Sequence, residues 1–143
     1  METKMTFRRY ELKYLMDSEQ QRSVQKALKE HMSPDRFSHS SIRNIYLDTE
    51  DFLLARRSIE KPLYKEKLRF RSYGAAGPDD NVYVELKKKY DGVVYKRRLS
   101  MPSGEAVAWF EGSLSEHPMT QIGEEIDYHR VRYPGIRPAM YLT

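Results

Sequence analysis

Basic side chains occupy alternate positions in three segments of the sequence, a spacing that could bind a chain of phosphates. The segments are Lys67-Leu68-Arg69-Phe70-Arg71, Glu85-Leu86-Lys87-Lys88-Lys89 and Lys96-Arg97-Arg98. Successive side chains of a β-strand point to opposite faces, so the basic residues would share one face of each strand. Like charges on neighbouring strands destabilise a sheet, and a bound polyanion would offset that repulsion. Because Arg and Lys suit phosphate groups, the pattern predicts a phosphate-binding face.

The composition concentrates basic charge in this part of the chain. The net charge of the 143 residues is +4, but residues 61–98 alone hold eleven Lys or Arg and five Asp or Glu. Charge focused in this way favours a defined anion site over general adhesion to polyanions. The lack of cysteine excludes disulfides and thiolate metal sites, and no run of 18 apolar residues occurs. We therefore expect a soluble, cytoplasmic protein.

Strands and short helices are predicted to position these side chains. Period-two alternation indicates strands over residues 7–14, 42–48, 63–73, 81–90, 93–100 and 136–143, with a hairpin turn at Asp91-Gly92. Apolar spacing and capping residues indicate helices over residues 18–32, 49–57, 103–111 and 120–131. Ser18 would cap the first helix, and Asp48 or Thr49 the second. The order predicts an α+β fold, in which an antiparallel sheet forms part of a barrel wall and short helices pack outside it.

Five motifs occur in an order that resembles a known family. They are Arg9-Tyr10-Glu11-Leu12-Lys13-Tyr14, Ile45-Tyr46-Leu47-Asp48-Thr49, Lys67-Leu68-Arg69-Phe70-Arg71-Ser72-Tyr73, Val84-Glu85-Leu86-Lys87 and Lys96-Arg97-Arg98. Together they resemble the catalytic domain of the vacuolar transporter chaperone (VTC) polyphosphate polymerases, within the triphosphate tunnel metalloenzyme superfamily. The first motif is similar to the superfamily's Glu-x-Glu-x-Lys signature, with Glu11 and Lys13 at its last two positions and Arg9 in place of the first Glu.

This resemblance implies a tunnel that binds ATP, tripolyphosphate or polyphosphate, and an ATP-dependent phosphoryl transfer to a polyphosphate chain. The implied substrate-binding residues are Lys13, Lys67, Arg69, Arg71, Lys87, Lys96 and Arg98. Of these, Arg69, Arg71 and Lys87 would be catalytic. Mn²⁺ or Mg²⁺ would be the cofactor, with Glu11 and Glu85 as candidate ligands, since such ions prefer oxygen. Alternatively, the two carboxylates only orient the basic residues through salt bridges.

The resemblance covers nearly the whole chain, so residues 1–143 are expected to form a single VTC-like domain. Family members continue beyond the strand Arg137-Pro138-Ala139-Met140-Tyr141 into further strands, which implies that this chain is an incomplete tunnel without its C-terminal strands. Unpaired sheet edges favour pairing with another chain. We therefore expect a homodimer formed through open sheet edges.

Two other functions are compatible with the sequence. One is a non-catalytic sensor of polyphosphate or nucleotide, which would use the same basic side chains. The other is a basic sheet that binds single-stranded nucleic acid, with Tyr83, Tyr90 and Tyr95 stacking on bases. Alternating Lys and Arg can also mark a merely solvated face of a sheet.

Several further residues are expected to be structural. Lys88 and Arg97 are offset by one position from the alternating basic residues. Their side chains should therefore point to the opposite face of the strands. Trp109 and Phe110 should pack against the sheet. The four histidines lack metal-ligand spacing and are expected at the surface; they are His31, His39, His117 and His129.

Overall fold

The computed structural model describes residues 12–34, 40–113 and 119–143. The chain divides into two compact units, one within Arg9–Ser40 and the other built on Ser41–Thr143. The larger unit holds every strand and all but one of the helices among the described residues. The basic segments of the sequence therefore all belong to the larger unit.

The smaller unit contains one described helix, α1, over Ser18–Leu28. Oδ1 of Asp17 accepts hydrogen bonds from the backbone N–H groups of Glu19 and Gln20, and Oε1 of Gln20 accepts one from the N–H of Asp17. This reciprocal capping box places the cap one residue before the predicted Ser18, and the helix ends at residue 28 rather than 32. Of the predicted strand over 7–14, residues 12–14 lack regular secondary structure and the rest lie outside the described residues.

The larger unit is built on an antiparallel sheet. Its strands within the described residues are β1 (Ile42–Asp48), β2 (Tyr64–Tyr73), β3 (Asn81–Tyr90), β4 (Val93–Pro102) and β5 (Arg137–Leu142). Their order across the sheet is β4-β3-β2-β1-β5. The strands predicted at these five places are confirmed, with ends shifted by at most two residues. Asp91 (φ 43°) and Gly92 (φ 79°) form the predicted tight turn, because a two-residue hairpin loop requires positive φ angles.

Helices α2 (Leu53–Ile59), α3 (Ser103–Glu111) and α4 (Gln121–Arg132) accompany the sheet. The N-cap residue of α2 is Phe52, not the predicted Asp48 or Thr49, but both predicted side chains accept hydrogen bonds from the first turn of the helix. The carboxylate of Asp48 accepts hydrogen bonds from the N–H groups of Leu54 and Ala55 at 2.9 Å each, and Oγ1 of Thr49 accepts one from Leu53 at 3.0 Å. The helix nevertheless begins at Leu53, later than predicted, because a turn precedes it.

The core lies on one face of the sheet, under α3 and α4. Its buried members are Leu47, Leu68, Phe70, Val82, Val84, Leu86, Leu99, Met101, Ala106, Trp109 and Ile126. Phe110 meets Phe70 edge-on with ring centroids 4.9 Å apart, and Nε1 of Trp109 donates to Asp127 of α4 at 2.9 Å. Trp109 and Phe110 thus pack as predicted. The α+β fold is confirmed, with α3 and α4 on the apolar face of the sheet.

Lys88 and Arg97 lie on this covered side, away from the other basic residues, as their parity predicts. Nζ of Lys88 and Nε of Arg97 lie 3.2 Å and 3.3 Å from the carboxylate of Glu125 on α4. These two cations therefore attach α4 to the sheet.

His129 corrects the prediction of a surface histidine. Its side chain is 1% exposed, and neither ring nitrogen has a hydrogen-bond partner among the described residues. Nε2 lies 4.0 Å from the carboxylate of Glu66, which accepts hydrogen bonds from the hydroxyls of Tyr64 and Tyr133. Burial lowers the pKa of His129 to about 4, and the charge of Glu66 offsets this only in part. The missed signal was helical spacing, since Ile126 lies three residues earlier on the same buried side of α4.

His31 is exposed, as predicted, whereas His39 and His117 lie outside the described residues.

Candidate phosphate-binding site

The predicted basic residues of β2, β3 and β4 share the face of the sheet opposite the core. Strand pairing arranges them in rows: Lys67, Lys87 and Lys96 lie opposite one another, and Arg69, Glu85 and Arg98 form the next row. Arg71 follows on β2. We call these seven residues the basic face. The alternation in the sequence thus predicted correctly which side chains would lie together.

Glu85 lies at the centre of the basic face and is 1% exposed. Its Oε2 accepts a hydrogen bond from Nε of Arg69 at 2.7 Å, and its Oε1 accepts from Nζ of Lys96 at 2.8 Å and from Nε of Arg98 at 2.7 Å. Nη2 of Arg98 also contacts Oε1, and Nε of Arg71 lies 3.8 Å from Oε2. Four cations therefore surround one buried carboxylate.

The pKa values follow from this arrangement. Burial alone would raise the pKa of Glu85, but the hydrogen bond from Lys96 and the charge of Arg69 outweigh it and lower the pKa to about 2. Burial lowers the pKa of Lys96, and the contact with Glu85 compensates only partly. For Arg69 the attraction of Glu85 exceeds the effect of burial and raises the pKa. At neutral pH the carboxylate is ionised, and its contacts favour charged neighbours.

Residues of β1 and β3 contact the arginine side chains through hydrogen bonds and a ring contact. Nη1 of Arg69 donates to the hydroxyl of Tyr46 at 2.8 Å, and Nε of Arg71 donates to Oδ1 of Asn44 at 3.0 Å. The guanidinium of Arg98 lies 4.5 Å from the centroid of the Tyr83 ring. Within the described residues, no hydrogen bond or ion pair engages the terminal nitrogens of Arg71. The contacts of Nε with Asn44 and Glu85 orient the guanidinium group of Arg71, and its terminal N–H groups are available to a ligand.

Sequence reasoning did not assign Asn44 and Tyr46 to the site, and it named Tyr83 only as a stacking residue of the nucleic-acid alternative. Asn44 and Tyr46 alternate with Ile45 and Leu47 along β1, a pattern that assigns them to one face of that strand. Their place beside Arg71 and Arg69 depends on the pairing of β1 with β2, which the sequence pattern does not specify.

Positive side chains outnumber negative ones among the described residues of the basic face. Arg69, Arg71, Lys96 and Arg98 surround one carboxylate, and the exposed Lys67 and Lys87 lie on the same face. The four cations around Glu85 retain only 15–19% of their side-chain exposure, so water screens them weakly. Clustered cations in such a setting favour binding of a polyvalent anion.

The described residues do not fit a divalent metal site. No group of three His, Cys, Asp or Glu side chains in residues 12–34, 40–113 or 119–143 could enclose an ion. Both oxygens of Glu85 already accept from cations, and a metal there would have to displace them. Glu11 lies outside the described residues, and Lys13 belongs to the smaller unit, so neither prediction is tested. The contacts of Glu85 match the alternative in which it orients the basic residues.

Solved structures define the class of this fold. The chain is similar to the crystal structure of a candidate adenylate cyclase from Bacillus halodurans, with a TM-score of 0.52 and 17% sequence identity. The match covers 89% of this chain and 58% of that one, so the chain spans less than two thirds of its structural neighbour. The antiparallel sheet with its outer helices is therefore a fold of the triphosphate-tunnel type.

Within that class the sequence identifies the family. The model of the VTC domain matches residues 8–141, and the chain therefore belongs to the VTC domain family of the triphosphate tunnel metalloenzyme superfamily. No curated protein matches the sequence significantly. No helix in the described part of the chain is long and apolar enough to cross a bilayer.

Proposed function

We propose that the basic face binds the triphosphate of ATP, tripolyphosphate or a longer polyphosphate chain. The observation that carries this proposal is the convergence of Arg69, Arg71, Lys96 and Arg98 on the single carboxylate of Glu85. Family membership supports it, because the domain belongs to a superfamily of triphosphate tunnels. In this proposal the sheet is one wall of the tunnel.

We further propose that the domain takes part in polyphosphate synthesis. The reaction would break the bond between the β–γ bridging oxygen and the γ-phosphorus of ATP and form a new bond from that phosphorus to a terminal oxygen of the chain, releasing ADP. Such transfers depend on positioning and charge stabilisation. Arg69, Arg71 and Lys87 are the residues we assign to the phosphoryl group, and Lys67, Lys96 and Arg98 to the remaining phosphates; the role of Lys13 stays a prediction.

Glu85 is a positioning residue in this proposal. By accepting from the Nε atoms of Arg69 and Arg98, it directs their guanidinium groups before any ligand arrives. Preorganised charges lose little energy to rearrangement when the phosphates bind. A role for Mn²⁺ or Mg²⁺ stays a prediction, and we assign no step to the ion.

Support for nucleic-acid binding that relied on three stacking tyrosines is weakened. Among the three tyrosines invoked for base stacking, only Tyr83 has the parity of the basic face, whereas Tyr90 and Tyr95 point to the opposite side of their strands. A non-catalytic sensor would use the same cations. Only an assay of polyphosphate synthesis distinguishes it from a polymerase. A cytoplasmic location and a homodimer also stay predictions.

Binding titrations against three ligands at several salt concentrations test the proposal. We expect the protein to bind ATP and tripolyphosphate, and to prefer tripolyphosphate to a single-stranded oligothymidine of equal charge. Tighter binding of the oligonucleotide would favour the nucleic-acid alternative, and failure to bind tripolyphosphate would overturn the proposal.

A further inference from the structure

The positive charge of the basic face is graded along the strands. The row of Lys67, Lys87 and Lys96 is entirely cationic, and the row of Arg69, Glu85 and Arg98 contains one carboxylate. The third row consists of Asn44, Arg71, Tyr83 and Ser100, and has a single charge. Beyond it, Tyr73 lies opposite Ile42, and neither of these two residues carries a charge. The face thus has a cationic end and a neutral end.

Two tyrosines occupy the neutral end. The rings of Tyr73 and Tyr83 meet edge-on, with centroids 5.9 Å apart and an interplanar angle of 85°. Tyr83 also lies under the guanidinium of Arg98, so it connects the aromatic pair to the cations around Glu85. Tyr73 remains 53% exposed although it is a large aromatic residue. An exposed aromatic ring beside a half-buried cationic cluster can stack on a planar ligand.

The face continues beyond Lys67 to Lys65 and Lys89, and it is long enough for a ligand with two different ends. Six residues separate Tyr73 from Lys67 along β2, which corresponds to about 20 Å at the rise of an antiparallel strand. A linear polyphosphate is charged along its whole length and would leave the neutral end unmatched. A nucleoside triphosphate has an uncharged planar base at one end and its charge at the other, and so complements the gradient.

We infer that Tyr73, supported by Tyr83, is the binding subsite for the base of a nucleoside triphosphate, whose phosphates extend over the arginine row toward Lys67, Lys87 and Lys96. This inference rests on the proposed function, because it requires that the basic face bind phosphates. It assigns the bound nucleotide an orientation and names the residues that contact its base. Stacking accepts any base, so the subsite favours nucleotides over inorganic phosphate chains without selecting among bases.

Tyr73 gives the sharper test, because Tyr83 contacts Arg98 and its loss would disturb the phosphate contacts as well. We compare the dissociation constants of ATP and tripolyphosphate, at equal ionic strength, for the parent protein, Tyr73→Ala, Tyr73→Phe and Tyr95→Ala. Tyr95 is a matched control, since it is 49% exposed on a strand of the same sheet but points to the opposite side.

We expect Tyr73→Ala to weaken ATP binding by at least about fivefold, the lower end of the contribution of base stacking on an aromatic side chain. Tripolyphosphate binding should be unchanged, Tyr73→Phe should bind both ligands like the parent, and Tyr95→Ala should change neither. In the parent protein, saturation transfer by NMR should reach the adenine protons more strongly than the ribose protons, a readout that requires no variant.

Unchanged ATP binding by Tyr73→Ala, or equal saturation of base and ribose, would overturn the nucleoside subsite and leave the phosphate site standing if tripolyphosphate still binds. Loss of binding to both ligands in the parent protein would instead overturn the proposed function itself. The two failures are therefore distinguishable.

Discussion

Glu85→Gln removes the negative charge of the basic face and keeps the shape of the side chain. Arg69, Lys96 and Arg98 would then lose their shared counter-charge in a half-buried setting. Breaking a buried ion pair on one side costs about 3–5 kcal/mol, so we expect the free energy of unfolding to fall by roughly this amount. Urea denaturation followed by circular dichroism measures it, with the exposed Glu60→Gln as the control.

Added tripolyphosphate should restore more stability to Glu85→Gln than to the parent protein, because the ligand supplies the missing negative charge. A variant as stable as the parent in the absence of any anion would show that the cations do not depend on Glu85.

Arg69→Ala and Arg71→Ala should each weaken tripolyphosphate binding by about 1.5–3 kcal/mol, the value of a charge-assisted hydrogen bond. Arg71→Ala is the cleaner change, since Arg71 contacts Glu85 only at 3.8 Å. Arg→Lys should recover part of the affinity, because Lys keeps the charge but not the planar pair of donors. Isothermal titration calorimetry provides the comparison.

Arg97→Ala is the matched control for these variants, since it removes the same charge from the opposite side of the sheet. Wild-type affinity in both the Arg69 and Arg71 variants would mean that phosphates do not bind to the basic face.

At the scale of elements, the attachment of α4 to the sheet should respond to pH through His129. Its pKa is about 4 in the folded protein and 6.5 in the unfolded chain. Between pH 4 and 6.5 the unfolded chain therefore binds more protons than the folded protein. Stability should therefore fall as the pH decreases from 6.5 to 4, by at most about 1.4 kcal/mol per pH unit from this one group. The groups that influence it come from several elements: Asp48, Glu66, Lys88 and Arg132.

His129→Phe should flatten this dependence, and the exposed His31→Phe should leave it unchanged. The pH range distinguishes the effect of His129 from that of Glu85, because the pKa of Glu85 is lowered from 4.5 to about 2. The contribution of Glu85 is present above pH 4.5 and is lost only as the pH falls toward 2. Equal slopes for the parent and His129→Phe between pH 6.5 and 4.5 would contradict the prediction.

At the scale of the whole molecule, we expect two copies to associate in the presence of polyvalent anions. β4 and β5 are the outer strands of the described sheet, and unpaired strand edges favour pairing with another chain. Two-fold pairing would bring two basic faces near each other, so association should strengthen with tripolyphosphate or sulfate and weaken at low ionic strength.

Sedimentation velocity with and without each anion measures this association, and sodium chloride at matched ionic strength is the control. A monomer under every condition would exclude the homodimer.

Much of the fold was predictable because its signals are local. Alternation along Lys67-Leu68-Arg69-Phe70-Arg71 identified β2 and its two faces, and the pair Asp91-Gly92 identified the hairpin. Asp48 and Thr49 were identified as acceptors for the first N–H groups of α2 because their side-chain oxygens come shortly before a helical segment. The predicted ends of α1 and α2 were wrong, since cap geometry and short turns alter where a helix begins or ends without changing its apolar spacing.

The sequence by itself determined which side chains of each strand share a face, because backbone sterics impose a period of two whatever the strand pairs with. It therefore predicted that Arg69 and Arg71 lie together, and that Lys88 does not join them. Only the tertiary structure decided that Glu85 lies between Arg69 and Arg98, that Tyr46 reaches Arg69, and that His129 is buried. These contacts depend on strand register and on the docking of α4, which long-range hydrogen bonds and core packing set together and no local pattern encodes.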